Sequence, residues 1–227
     1  MRKTLFYFLT ILIVGLPVSA GATLLLQDEF NTFDPDKWDI IHNMGSYSIQ
    51  DGNLRLIGGN KMDINSMDTF SYSIASAYMR IGGDYQKFGF NVNDGNGLPA
   101  FYFDSYEPGA SSPGGLDTVH VIVFGETFDN QDRLFRERLD VTWNEYHQFD
   151  VMWNPDSIHF FIDDVLMASF DYSYSSSTLP IGIWNDRGST MLVDWVSVES
   201  VPEPATLLLL GSGLIGLSGF RRKKYKK

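Results

Sequence analysis

The 227-residue chain contains no cysteine. That excludes disulfide scaffolds, thiolate zinc sites and cysteine nucleophiles together. Positive charge is scarce where it would matter most. Residues 23–201 hold nine Lys and Arg against 27 Asp and Glu, a net of −18, although the whole chain carries −11. The difference sits at the two ends, as Arg2 and Lys3 and as Arg221, Arg222, Lys223, Lys224, Lys226 and Lys227. A body this acidic repels phosphate backbones, so nucleic acid is excluded as a partner. No apolar run reaches the ~20 residues that span a bilayer upright. Within residues 23–201 helical apolar periodicity never persists beyond about two turns, no internal repeat is found, and no His/Asp/Glu cluster has transition-metal spacing.

What is present is aromatic. Phe (17), Tyr (11) and Trp (5) make up 15% of the chain, too much for a disordered tail and suited to pleated, half-buried surfaces. Short alternating segments separated by turn residues recur, as in a sandwich or barrel. Ser46 to Ile49 and Leu54 to Ile57 flank Asp51-Gly52, a hairpin signal. Phe149, Val151 and Trp153 alternate with Asp150 and Met152. After the Asn154-Pro155-Asp156 turn, Ile158, Phe160 and Ile162 share one face and His159 and Phe161 the other. Asp163-Asp164 turns the chain again before Val165 to Phe170. In the closing segment Met191 to Val198, plain alternation puts Leu192, Asp194, Val196 and Val198 on one side. Two stacked antiparallel sheets account for this pattern.

The ends read as addresses. Arg2 and Lys3 precede an apolar run from Leu5 to Leu16, then Pro17 and the small residues Ser19, Ala20, Gly21 and Ala22. This is the layout of a secretory signal cleaved after Ala20 or Ala22, the alternative being an uncleaved N-terminal anchor. At the other end Pro202-Glu203-Pro204 precedes a 16-residue apolar stretch, Ala205 to Phe220, and the basic cluster that would hold the far end cytoplasmic. That order resembles the PEP-CTERM sorting signal, recognised by an exosortase in Gram-negative bacteria; a plain single-span anchor is the alternative. The resemblance implies export through the inner membrane, transient residence of the C-terminal helix there, and an envelope or extracellular location with the tail removed. The expected organisation is residues 1–22 signal peptide, 23–201 β-sandwich and 202–227 sorting signal.

A second resemblance spreads over the body. Gln27-Asp28-Glu29-Phe30-Asn31 followed by Asp36-Lys37-Trp38 resembles the opening of glycoside hydrolase family sixteen. Tyr85 to Phe103, with Gly97-Leu98-Pro99-Ala100-Phe101, resembles the strands leading into its cleft. Tyr146 to Asp164 resembles the stretch YHTYxxxWxPxxIxFYVDG of that family, and Ile183-Trp184-Asn185 and Asp194-Trp195-Val196 its last two motifs. The resemblance implies an all-β, concanavalin A-like jelly-roll sandwich of two antiparallel sheets, flanked here by a signal helix and a membrane helix, whose concave sheet holds a sugar chain. It also implies a structural Ca2+ with Asp194 among its ligands, an oxygen-rich site of the kind that ion prefers. No cofactor is required.

The family's chemistry rests on Glu-x-Asp-x-Glu, alternation sending all three carboxyls to one face. Retaining hydrolysis needs two of them about 5–5.5 Å apart. The matching strand here runs from Gly114 to Gly125. Anchored on Asp117 it offers Gly115 and Val119, or His120 with a bulge; anchored on Phe124-Gly125 it offers Thr118, His120 and Ile122. Neither register restores a carboxylate pair. A third, over Tyr102 to Glu107, keeps an Asp and a Glu with tyrosine at the nucleophile position. The remaining acid/base candidates are Asp117, His120 and Glu107. Sugar binding needs aromatic faces for pyranose rings and polar groups for hydroxyls. Tyr102, His120, Trp184, Asn185 and Arg187 are its candidates. The expected function is therefore an exported polysaccharide-binding domain, for β-glucan or exopolysaccharide, that does not hydrolyse; the alternatives are an active retaining glycosidase or transglycosylase and a structural matrix protein.

Overall fold

A computed structural model of the chain describes residues 22–57, 61–83, 85–92, 99–105, 118–124, 133–174, 178–186 and 189–201. The expected signal and C-terminal helices lie outside them, as do Glu107, Asp117, Arg187, Pro202, Glu203 and Pro204. Among the described residues no helix is long and apolar enough to cross a membrane.

Fifteen strands build one unit, Leu24–Val201: β1 (Leu24–Asp28), β2 (Trp38–Asn43), β3 (Ser46–Gln50), β4 (Asn53–Ile57), β5 (Met62–Ser66), β6 (Ser73–Arg80), β7 (Gln86–Phe90), β8 (Ala100–Asp104), β9 (Thr118–Phe124), β10 (Arg133–Asp140), β11 (Tyr146–Trp153), β12 (Ser157–Ile162), β13 (Val165–Asp171), β14 (Ile181–Asn185) and β15 (Thr190–Ser200). They form two antiparallel sheets, β13-β12-β11-β6-β15-β4-β3 with β1 joined to β15, and β10-β9-β8-β7-β14-β5-β2. These are the two stacked antiparallel sheets expected from the alternation, in the jelly-roll sandwich that the family resemblance implies.

Alternation decides what lies between the sheets. Phe149, Val151 and Trp153 of β11, Ile158 and Phe160 of β12, and Phe101 and Phe103 of β8 are buried in one core with Phe88, Phe90 and Trp38. Each such side chain stabilises the fold by roughly 1.5–3 kcal/mol on leaving water. Two hairpins set the register with two-residue turns in which both residues have positive φ, Asp51 (54°) with Gly52 (75°) and Asp163 (50°) with Asp164 (64°). The Gln27–Trp38 motif proves to be an anchor. The Asp28 carboxylate accepts hydrogen bonds from the Phe30 N–H and the Trp38 indole N–H, both at 2.8 Å, pinning the entry of β2 to the end of β1.

One pattern departs from plain alternation. In β15 the core receives Met191, Val193, Val196 and Val198, while Leu192 faces outward. The β15–β6 ladder steps between Val193 and Trp195, opposite Met79 and Tyr78. Asp194 is the extra residue of a β-bulge, and a single inserted residue exchanges the faces of everything after it. Leu192 and Asp194 therefore do not share a side with Val196 and Val198.

Candidate functional site

The outer face of the seven-stranded sheet collects most of the described candidates, because residues paired across an antiparallel ladder lie on one face. On β9, Val119, Val121 and Val123 enter the core, leaving His120 and Ile122 on the other side. The β8–β9 ladder runs without a bulge from Ala100 opposite Phe124 to Asp104 opposite His120. Val119 is wholly inside the core, so of the described residues that the two anchors offer, His120 and Ile122 lie on this face. β8 adds Tyr102 and Asp104 to the same face, and β14 adds Trp184.

A transverse row results. Asp63 of β5 pairs with Trp184 of β14, Trp184 with Lys87 of β7, Lys87 with Asp104 of β8, and Asp104 with His120 of β9. In the backbone register the row continues to His42 on β2 and Arg138 on β10. The Lys87 ammonium lies 4.2 Å from the centroid of a Trp184 ring and 5.4 Å from that of Tyr102, and Lys61 lies 4.6 Å from Trp184. The floor is packed: Trp184 is 2% exposed, Asp104 and His120 4%, Tyr102 5%. Gly89 and Gly182, opposite each other on β7 and β14, make that packing feasible. A Cβ on Gly89 would stand 2.6 Å from the Phe101 carbonyl oxygen and 2.8 Å from the Tyr102 Cβ. A strand glycine here marks close approach of a neighbouring side chain to the backbone.

The row contains two carboxyls, Asp63 and Asp104. They stand three strand intervals apart, about 14 Å at the usual inter-strand spacing. Retaining hydrolysis takes about 5–5.5 Å and inverting hydrolysis about 6.5–9.5 Å. Among the described residues of this face, the half-buried side chains within reach of a sugar include Lys61, Lys87 and Phe124.

Asn185 does not join this face. Alternation turns it inward from Trp184, and it is fully buried. Its amide donates to the Leu56 and Ser189 carbonyls, both at 2.9 Å, tying β14 to the opposite sheet. Trp184 is too enclosed for stacking through an open ring face; its truncation would leave a cavity costing about 3–5 kcal/mol. His159 lies on the outer face of the other sheet, 6.4 Å from the Phe161 ring centroid. Among the described residues no three His, Cys, Asp or Glu side chains converge. The neighbour of Asp194 is Tyr146, whose hydroxyl burial holds above its usual range, with Arg80 opposing and Asp194 adding to the effect.

Tyr102, His120 and Trp184, expected from the sequence, share this face with Lys61, Asp63, Lys87 and Asp104, which the sequence does not single out as their partners. The signal lay in parity: Lys87 stands two residues before Gly89, and Asp104 two after Tyr102. Which strands are neighbours is not local information.

Residues 114–197 match the model of Glycosyl hydrolases family 16, and residues 200–223 match the PEP-CTERM protein-sorting motif. Among curated proteins none matches the chain by sequence. Solved structures share the fold at low identity. A β-glucanase from Bacillus licheniformis is 15% identical, with a TM-score of 0.58, over 80% of this chain and 98% of that one. Porphyranase B from Zobellia galactanivorans is 12% identical, with a TM-score of 0.63, over 83% and 96%. An endo-β-1,3-glucanase from Pyrococcus furiosus is 15% identical, with a TM-score of 0.58, over 80% and 96%.

Proposed function

We propose that the exported body binds a polysaccharide across the outer face of its seven-stranded sheet and does not cleave it. The observation that carries this reading is the row Asp63–Trp184–Lys87–Asp104–His120. Its half-buried member, Lys87, with Lys61 beside it, offers donors at the surface, and the buried Asp63, Trp184, Asp104 and His120 form the floor beneath them. Its two carboxyls stand too far apart to attack an anomeric carbon and protonate the leaving oxygen in concert. Lys61 and Lys87, braced on Trp184, donate to hydroxyls and ring oxygens, with Asp104 and His120 behind them.

The match of residues 114–197 supports a glycan as the ligand, and that of residues 200–223 supports handling by an exosortase-type enzyme and delivery to the envelope or beyond it. A panel of β-glucans and bacterial exopolysaccharides, incubated with the purified body, tests the reading. Retention on at least one polymer without new reducing ends is the expected result, weakened by Lys87→Ala. Release of sugars would establish a glycosidase instead. Neither release nor retention would leave the sandwich as a matrix scaffold.

A further inference from the structure

The outer face of the eight-stranded sheet, on the opposite side of the sandwich from the row above, carries more ring surface than solvation requires. An antiparallel sheet with one solvated face ordinarily keeps that face polar. Here Trp195 of β15, Tyr78 of β6 and Tyr146 of β11 form a continuous row over three neighbouring strands. Trp195 and Tyr78 stack at 6.3 Å between centroids and 18° between planes, Tyr78 and Tyr146 at 5.2 Å and 27°. The bulge at Asp194 creates this row: it brings Trp195 opposite Tyr78 instead of turning it into the core.

Beside Trp195 opens a hollow of about 400 Å³, within the 300–1,000 Å³ of small-ligand sites. Its apolar part is Ile74, Met152 and Phe161; its charged part is Asp150, Asp164 and Glu199. No Lys or Arg is among its lining residues. Asp150 is buried, 8% exposed, and accepts the Gln148 amide at 3.1 Å on each oxygen. Its charged neighbours, Asp163 and Asp164, have the same sign as itself. A buried carboxylate held among other carboxylates costs stability. Groups that break the local rules at a cost to the fold mark functional sites.

We infer that this hollow is a second glycan site, and that it takes a hexosamine unit bearing a free amine. A pyranose presents an apolar face to the Trp195 indole, and a protonated amine on the same ring supplies Asp150, Asp164 and Glu199 with a cation that the lining of the hollow does not contain. The cation gains further from the π-face of the indole. A peptide fits less well. The hollow lies over β12, β11, β6 and β15, each paired on both sides, so no free strand edge is offered for main-chain pairing. The site does not depend on the reading proposed for the other sheet.

The test titrates the purified protein with oligomers of glucosamine, with the fully N-acetylated oligomers of the same length, and with oligolysine, below the pKa of the sugar amine. The free-amine oligomer should bind at least about tenfold more tightly than the acetylated one. Asp150→Asn and Trp195→Ala should each weaken it by about tenfold, while Glu145→Gln, which removes the same charge from an exposed position elsewhere, should not. Equal binding of the acetylated oligomers would overturn the role of the amine. Equal binding of oligolysine, or an equal loss in Glu145→Gln, would reduce the interaction to the net charge of the body. No binding of any oligomer by a protein that retains its thermal transition would remove the site. Loss of neutral-glucan retention belongs to the other face and is read separately.

Discussion

Lys87 and Trp184 face one another across the β7–β14 ladder, the ammonium 4.2 Å from the ring centroid, and the same lysine reaches Tyr102 at 5.4 Å. A half-buried cation over two aromatic faces is stabilised by roughly 0.5–2 kcal/mol. Its contribution to the fold is small beside the core, so Lys87→Ala should move Tm by no more than a few degrees. Retention on a bound glycan should fall by about fivefold or more. Lys87→Met, which keeps the stem and loses the charge, separates packing from hydrogen bonding; retention as poor as in the alanine variant places the effect in the ammonium.

Asn185→Ala should behave in the opposite way. It leaves the Leu56 and Ser189 carbonyls without the donors that now satisfy them, a loss of about 2–4 kcal/mol. Urea denaturation should show that loss, and glycan retention per folded molecule should stay as it was. A sugar-contacting Asn185 would give the reverse pattern.

Two aspartates should respond to acid with opposite signs. Burial raises the Asp150 pKa against the opposing hydrogen bonds of Ser76 and Gln148. A raised carboxyl favours the fold while it is protonated, and that contribution disappears as pH rises through the folded value. Asp150→Asn should therefore raise Tm at neutral pH by about 1–3 °C, with the gain vanishing below the ordinary aspartate pKa. For Asp163 burial again pushes upward, but hydrogen bonds from His147 at 2.7 Å and from the Gln148 N–H at 2.9 Å outweigh it, and the pKa falls. Its stabilisation is present above the ordinary aspartate pKa and is lost as pH drops through the lowered value. Asp163→Asn should cost about 0.5–1 kcal/mol at neutral pH, given its exposure to solvent, and converge on the parent in acid. Thermal melts across pH check both curves.

Two glycines with positive φ should differ in cost. Gly52 (75°) closes the β3–β4 turn with open space where a Cβ would go, so Gly52→Ala pays only the left-handed torsion, about 1–2 kcal/mol. Gly89 (150°) adds direct overlap with the Phe101 carbonyl and the Tyr102 side chain. Gly89→Ala should cost at least about 3 kcal/mol and weaken glycan retention as Tyr102 shifts. Equal costs in urea would show that Tyr102 does not depend on the gap.

Calcium should leave the protein unchanged. With one carboxylate, Asp194, near Tyr146 and Arg80, adding Ca2+ or a chelator should shift Tm by less than about 1 °C. A rise of several degrees on adding Ca2+, abolished by Asp194→Asn, would show a bound ion.

How far the sequence could be read depended on whether the information was local. The core strands were legible because β11 and β12 alternate without interruption, and both two-residue turns were legible because Asp51-Gly52 and Asp163-Asp164 tolerate positive φ. The β15 faces depart from plain alternation because nothing in Met191 to Val198 announces an inserted residue; the bulge exists only relative to β6. The family resemblance implies a sugar contact at Asn185, yet adjacent strand residues face opposite ways and Asn185 is buried beneath the face that Trp184 occupies. Lys87 and Asp104 are not legible locally because their significance comes from ladder partners 97 and 16 residues away, Trp184 and His120.

The pairing of β1 with β15 has a temporal side. The first strand of the body finds its partner in the last, and β15 also lies between β6 and β4. A chain leaving a translocon N-terminus first therefore cannot complete its larger sheet until residues 190–200 have crossed. Among the described residues these pairings join positions about 170 apart, and non-local pairings of this kind slow folding. The strand that completes the larger sheet runs directly into the sorting motif matched from residue 200. Arrival of the address and closure of the fold become nearly one event.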